Sequence, residues 1–177
     1  VIPCIYELVF VEPGGIVALS KEGVYKLFVY RDGGVEEFSL PSGIQPISGF
    51  CCDRSAVCDE YYNYGYIDSE GNLVVPCRYE RVNDYNEGLA VVEQNWRKGY
   101  VDTDGYEVSP VSYRAAEMFR NGRGCVQNEA GLYGYVDETG REVIPCRFEK
   151  AISFYGEVTP ACLNGLYGLI DKDGEFI

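Results

Sequence analysis

The sequence contains no histidine, and it has one tryptophan and one methionine among 177 residues. The missing histidine excludes Ser-His-Asp triads, imidazole metal sites and the usual proton shuttle at physiological pH. Basic residues are also scarce, because 15 Lys and Arg stand against 28 Asp and Glu, for a formal net charge of −13. Phosphate binding needs clustered Lys and Arg, so nucleic acid is not an expected partner.

Long apolar runs are missing as well. No stretch approaches the roughly 18 apolar residues of a membrane span, and no basic segment precedes an apolar one. We therefore expect no membrane insertion and no targeting segment within this chain. The sequence begins at Val1 rather than at methionine. This start leaves open a removed signal peptide, and with it the compartment.

Glycine and tyrosine are abundant instead, with 21 and 16 copies. This composition is typical of a β-rich, turn-rich protein. The acidic residues are spread evenly along the chain, which favours a solvated, self-repelling surface. The alternative is an acidic surface that docks a basic partner.

A four-residue pattern of Gly, Tyr or Leu, a β-branched residue and Asp recurs at spacings of 34, 35 and 34 residues. Its copies lie at residues 65–68, 99–102, 134–137 and 168–171. Four of the eight prolines keep the same period, and an aromatic residue follows each of these four by nine positions. These pairs are Pro41 and Phe50, Pro76 and Tyr85, Pro110 and Phe119, and Pro145 and Phe154. A shared period in several residue types indicates a repeat architecture.

The repeats predict an all-β protein of five three-stranded β-meander units of about 35 residues in one domain, residues 1–177. The approximate unit boundaries are 1–38, 39–73, 74–107, 108–142 and 143–177. We expect an open, twisted solenoid, with closure like a five-bladed propeller as the alternative. A 35-residue unit is short for a four-stranded blade, which needs about 40–45 residues.

Within a unit, Asp137 and Gly140 predict a type I turn with a left-handed closing residue. Pro145 is expected to end the following strand, because proline has no backbone N–H and the end of a strand does not require one for pairing. The segment 146–155 carries helix-tolerant residues but has room for only a turn or two. The glycine of each central strand, such as Gly134, is expected to let a neighbouring backbone or ring approach closely.

The unit resembles the WG-containing repeat family. The matching pieces are Tyr133-Gly134-Tyr135-Val136-Asp137 through Gly140, then Ile144-Pro145 and Phe148, and also Gly88-Leu89-Ala90-Val91-Val92. The signature tryptophan is absent: tyrosine replaces it at three positions, and Lys98 replaces it once, with Trp96 two residues earlier. The resemblance covers residues 64–177. It implies an all-β repeat scaffold that binds something, and it carries over no catalytic residue.

Alternation along the central strands predicts that Ile67 and its equivalents face the core and that the tyrosines share the other face. One interpretation of this row is packing between repeats. The other is an aromatic ledge for a sugar or a protein partner. The candidate ligand-facing aromatics are Tyr64, Tyr66, Trp96, Tyr100, Tyr133, Tyr135 and Tyr167.

The cysteines and the aspartate-rich turns favour structural roles. Cys4, Cys77 and Cys146 share the position after proline and are expected to be buried free thiols. Cys51, Cys52 and Cys58 form a local cluster, for which a disulfide and a metal are the alternatives. The Asp-x-Asp-Gly runs at 102–105 and 171–174 resemble calcium loops faintly, but their common content is a turn.

No catalytic, metal or cofactor site is expected. Gly-x-Ser-x-Gly and phosphate-loop motifs are absent, and nothing singles out two carboxylates as an acid and base pair. The sequence therefore predicts a non-catalytic scaffold that binds another protein. One alternative is cell-wall or surface carbohydrate bound through the tyrosine ledge. Another is an acidic inhibitor or immunity-type protein that masks a basic enzyme.

Overall fold

A computed structural model describes residues 6–12, 15–20 and 24–177 of the chain, and these residues form eighteen β-strands and no helix. The all-β class is therefore confirmed. The strands belong to small antiparallel sheets of three or four strands, and none of these closes into a barrel within the described residues. The chain divides into two compact units, Val1–Asp84 and Tyr85–Ile177.

The first unit contains two four-stranded meanders followed by a two-residue strand. The first meander is β1 (Tyr6–Glu12), β2 (Gly15–Ser20), β3 (Tyr25–Arg31) and β4 (Gly34–Ser39). The second is β5 (Gln45–Cys51), β6 (Arg54–Cys58), β7 (Tyr64–Asp68) and β8 (Leu73–Tyr79), and β9 is Arg81–Val82. The buried core residues of this unit come from both meanders and include Leu27, Leu40, Val57 and Ile67.

The second unit begins with an antiparallel hairpin of β10 (Leu89–Gln94) and β11 (Arg97–Asp102). A four-stranded sheet follows, made of β12 (Ala115–Ala116), β13 (Gly124–Gln127), β14 (Tyr133–Val136) and β15 (Glu142–Phe148). The last sheet has three strands, β16 (Lys150–Ala151), β17 (Thr159–Leu163) and β18 (Leu166–Ile170). Aromatic residues such as Tyr100, Phe119, Tyr135 and Phe154 fill the cores between these elements.

Pro145 does not end its strand, contrary to the expectation. It lies inside β15, where the two-residue step from Tyr133 to Tyr135 in β14 is matched by a four-residue step from Phe148 back to Ile144 in β15. This bulge leaves the proline outside the ladder, so its missing N–H costs no strand pairing. The segment after it is likewise extended rather than helical, since β15 continues to Phe148 and β16 follows.

The central-strand glycines let a neighbouring backbone approach closely, as predicted, and this close approach occurs at the bulge. A Cβ atom on Gly134 would lie 2.5 Å from the Ile144 carbonyl oxygen and 2.7 Å from the Cys146 nitrogen. Gly65 in β7 meets the backbone of β8 in the same way. The small residue is therefore required by backbone packing, because any side chain would displace the proline-containing strand.

Candidate binding surface

The central tyrosines are buried. Tyr66, Tyr100 and Tyr135 each have 0% of their surface exposed. Their hydroxyl groups donate hydrogen bonds to backbone carbonyls seventeen residues later, at Asn83 (2.5 Å), Glu117 (2.6 Å) and Ile152 (2.8 Å). The prediction that these three rings face a ligand is therefore wrong. Packing between repeats, the other interpretation of the tyrosine row, is what they do.

The rings of Tyr100 and Tyr135 also pack edge-to-face on the next aromatic residue of the repeat. Tyr135 meets Phe154 with ring centroids 4.9 Å apart, and Tyr100 meets Phe119 at 6.0 Å. Burial raises the pKa of the Tyr100 and Tyr135 hydroxyls well above the usual value near 10. Both phenols stay protonated at physiological pH, so they act as permanent hydrogen-bond donors.

Tyr64 and Tyr133 are half-buried, because each lies opposite an aromatic residue of the proline-containing strand. Tyr64 pairs with Tyr79, and Tyr133 pairs with Phe148. Tyr167, the equivalent residue of β18, is 72% exposed. Most members of the predicted aromatic ledge are therefore not available to a ligand. Of its seven members, only Tyr167 and Trp96 are largely exposed.

Trp96 is 76% exposed at the tip of the β10–β11 hairpin. Gln94 pairs with Arg97, so Asn95 and Trp96 form a two-residue turn with φ of 51° and 61°. Two positive φ values define the type I′ hairpin turn, for which Asn-Gly is preferred. The β17–β18 hairpin has that pair, Asn164 and Gly165, at the same place. Tryptophan therefore occupies a position that the backbone favours for glycine.

An ion pair beside the tip braces the hairpin. The Arg97 guanidinium contacts both carboxylate oxygens of Glu129, with Nε to Oε1 at 2.8 Å and a terminal nitrogen to Oε2 at 3.1 Å. Such a two-pronged contact restricts both side chains more than a single bond does. The ion pair therefore links the residue after Trp96 to the turn that contains Glu129.

Tyr61 and Tyr62 are two exposed aromatics that the repeat pattern did not predict. They are 75% and 74% exposed, and Tyr62 has a φ of 62°. Both lie in a turn at residues 59–63, in which the Asp59 Oδ1 atom accepts hydrogen bonds from the backbone N–H groups of Tyr61 and Asn63. The available signal was the match between Asp59-Glu60-Tyr61-Tyr62-Asn63 and the next turn, Asp68-Ser69-Glu70-Gly71-Asn72.

The Asp-x-x-Gly segments are turns, as predicted. In each turn, the aspartate Oδ1 atom accepts hydrogen bonds from the backbone N–H groups two and four residues later. The glycine N–H donates a hydrogen bond to the aspartate carbonyl. The aspartates are Asp68, Asp102, Asp137 and Asp171. The hydrogen bond from the Thr139 side chain lowers the pKa of Asp137. These carboxylates are engaged by the chain's own donors, which explains the recurrence without a cation.

The described cysteines are free thiols, and Cys4 lies outside the described residues. Cys77 and Cys146 are half-buried in the slot after proline, and burial raises the pKa of each to about 11. Cys51 and Cys52 lie at the tip of the β5–β6 hairpin, where Cys52 is exposed. The high pKa of the slot thiols fits the packing role predicted for them.

Among residues 6–12, 15–20 and 24–177, no group of three or more His, Cys, Asp or Glu could hold a metal ion. None of these residues belongs to a helix long and apolar enough to cross a membrane.

Comparisons with solved structures give low-identity matches. The chain is similar to the WD40 β-propeller domain of Doa1, with 9% identity and a TM-score of 0.37 over 96% of this chain and 66% of that one. It is similar to BamB from Moraxella catarrhalis, with 10% identity and a TM-score of 0.43 over 96% of this chain and 61% of that one. A third match is the computationally designed Ika8 protein, with 12% identity, a TM-score of 0.41 and coverage of 95% and 59%. The chain thus spans about two thirds of these proteins or less.

No curated protein sequence matches the chain. The model of the WG-containing repeat matches it three times, at residues 64–95, 99–130 and 133–167. These matches cover more than half of the chain and fall on the repeats that the glycine, proline and aspartate positions define. The chain belongs to the WG-containing repeat family.

Proposed function

We propose that this chain is a non-catalytic β-repeat scaffold that binds another protein through aromatic side chains held on its turns. A repeat β-fold supports a scaffold or interaction role in general terms. Binding through aromatic side chains on turns is supported by one observation, the exposed ring of Trp96 at a backbone position suited to glycine.

Trp96 costs folding free energy and gains little packing within the chain. A non-glycine residue in the left-handed region costs roughly 1–2 kcal/mol. A ring that is 76% exposed recovers little of this cost by burial. Tryptophan is also among the residues most enriched at the energetic centres of protein interfaces. Binding accounts for both the residue type and its unfavourable backbone conformation.

The grooves of the second unit support a non-catalytic role. One groove is lined by Glu117, Met118, Arg120, Ile152, Ser153 and Tyr155. Its carboxylate, at Glu117, accepts hydrogen bonds from the Ser153 N–H at 2.8 Å and the Ser153 hydroxyl at 2.7 Å. This carboxylate therefore fastens two loops together, and no second carboxylate lines the groove as a partner for acid–base chemistry.

The carbohydrate alternative has less support than it had from sequence, because three of its seven aromatics are buried. The acidic-inhibitor alternative still has the net charge of −13 behind it. These alternatives predict different behaviour. Binding to a sugar would give signal on a glycan array, and charge-driven masking would be lost in about 0.5 M salt, where the Debye length is a few ångströms.

Trp96→Gly tests the proposal. We expect the variant to unfold at a higher denaturant concentration, since glycine relieves the left-handed strain. We also expect it to lose a protein that the immobilised parent chain retains from source extract, as identified by mass spectrometry. Tyr106→Ala removes another exposed turn aromatic, from a position with ordinary φ, and is the matched control. Equal retention by the parent and Trp96→Gly chains would contradict the proposal.

A further inference from the structure

Two turns of the first unit have the same construction. In residues 59–63, the Asp59 Oδ1 atom accepts hydrogen bonds from the backbone N–H groups of Tyr61 and Asn63. The Asn63 side-chain amide donates a hydrogen bond of 3.1 Å to Oδ2. In residues 68–72, Asp68 and Asn72 form the corresponding bonds, with the side-chain pair at 2.9 Å. We call these the aromatic turn and the glycine turn.

The turns differ at the fourth position. The glycine turn has Gly71 there with φ of 81°, whereas the aromatic turn has Tyr62 with φ of 62°. The equivalent glycines Gly105, Gly140 and Gly174 also have positive φ at this position. Tyrosine is therefore the exception at a backbone site where a side chain is strained. The exposed ring of Tyr62 recovers little of that strain through burial.

Negative charge accompanies the two rings. The Asp59 carboxylate is held by its hydrogen bonds: burial raises its pKa, but the bonds from Asn63 and Tyr61 outweigh this effect and the pKa is lowered. Asp59 thus stays ionised at physiological pH. Glu60, between Asp59 and Tyr61, is exposed. The aromatic turn therefore combines two accessible π-faces with two carboxylates.

This combination is complementary to a guanidinium group. Arginine stacks on aromatic faces and forms charge-assisted hydrogen bonds with carboxylates. The chain's net charge of −13 would attract a basic segment from a distance and favour its encounter. An acidic or uncharged segment would gain neither contribution.

We propose that Glu60, Tyr61 and Tyr62 form a docking site for an arginine-bearing segment of a protein partner. This proposal rests on the proposed function in so far as the partner is a protein, and it names the partner's chemistry. Tyr61 and Tyr62 contact the guanidinium face, and the Glu60 carboxylate accepts its N–H groups.

The test is a titration of the ¹⁵N-labelled chain with a soluble peptide that alternates glycine and arginine, followed by amide chemical shifts. We expect the largest shifts at residues 59–63 and much smaller ones at residues 68–72, where Glu70 supplies an exposed carboxylate without an exposed ring. Removing one ring, in Tyr61→Ala or Tyr62→Gly, is expected to weaken binding about fivefold, the size of one exposed cation–π contact. A glycine–glutamine peptide should not bind.

Tyr62→Gly keeps the test decisive, because it places in the aromatic turn the residue that the glycine turn already uses. The variant should fold at least as stably as the parent. The proposal is overturned if Tyr62→Gly binds the arginine peptide with parental affinity, or if shifts at the two turns are equal, which would indicate unspecific attraction to acidic residues. Trp96→Gly should bind the peptide normally, so a failure of the Trp96 experiment and a failure of this one are distinguishable.

Discussion

The hydroxyl of Tyr100 donates a hydrogen bond of 2.6 Å to the backbone carbonyl of Glu117. Tyr135 forms the equivalent bond with Ile152 at 2.8 Å, and both bonds span seventeen residues. Each bond fastens a central strand to the loop that precedes the first long strand of the next sheet. Because the ring is fully buried, the tyrosine provides apolar packing and a fixed polar contact together.

Tyr100→Phe should lower the free energy of unfolding by about 2 kcal/mol, because the part-buried Glu117 carbonyl loses the Tyr100 hydroxyl as its donor. Tyr135→Phe should cost less, about 1 kcal/mol, because the Ile152 carbonyl keeps a second donor, the Thr159 hydroxyl at 3.1 Å. Urea unfolding measures both values. Tyr167→Phe, at an exposed position, should change stability by less than about 0.5 kcal/mol. Equal losses in the two buried variants would contradict this ranking.

Gly134→Ala should destabilise the fold severely, by about 3 kcal/mol or more. The new Cβ would lie 2.5 Å from the Ile144 carbonyl oxygen, and backbone atoms cannot yield as a flexible side chain can. Gly156→Ala is the control, because Gly156 has positive φ but no atom within 4 Å of the place that a methyl group would take. It should cost only the left-handed penalty, about 1–2 kcal/mol. A smaller loss for Gly134→Ala than for Gly156→Ala, measured by urea unfolding, would show that close approach is not the reason for this glycine.

The repeat register made the central strands, their glycines and the aspartate turns predictable. Alternation put the Tyr66 ring on the face opposite Ile67 but left open whether that face meets solvent or another repeat. Both faces of the strand are covered: the Gly65 side meets the backbone of β8, and the Tyr66 ring is buried with its hydroxyl bonded to the Asn83 carbonyl. A period of two distinguishes one face of a strand from the other. It cannot distinguish solvent from the next repeat, which covers a surface equally well.

The candidate binding residues were harder to predict for a different reason. Trp96 stands out in the sequence as the only tryptophan, but its unfavourable position becomes visible only from its φ of 61°. Tyr62 is inconspicuous because its turn lacks the glycine that marks the other turns. The prediction for Pro145 was wrong because a bulge in one strand depends on the partner strand, which local sequence does not specify.

Acid should weaken the contribution of the Asp137 turn. The folded-state pKa of Asp137 lies below its ordinary value of 3.8, mainly because the Thr139 hydroxyl donates to the carboxylate. Its stabilising effect is therefore complete above the unfolded pKa and is lost as the pH falls through the folded pKa. Asp137→Asn keeps an acceptor without the charge. We expect the stability difference between the parent and this variant to be largest near about pH 6 and to shrink below about pH 3. A difference that is constant across this range, by urea unfolding, would contradict the expectation.

Alkylation should discriminate sharply among the cysteines. Burial, followed by the charges of Asp59 and Cys58, raises the pKa of Cys77 to about 11, so only about one thiol in a thousand is ionised near pH 8. Cys125 is buried and its pKa is raised further, whereas Cys52 is exposed at a hairpin tip. With iodoacetamide and peptide mapping over time, Cys52 should react first among the seven cysteines that the structure describes, and Cys125 only at the rate of unfolding. Cys52→Ser should remove the fast labelling of the peptide that contains residue 52 and leave the Cys125 rate unchanged. Rapid labelling of Cys125 in the folded chain would mean that its sheet opens locally, because alkylation requires both an ionised thiol and contact with the reagent.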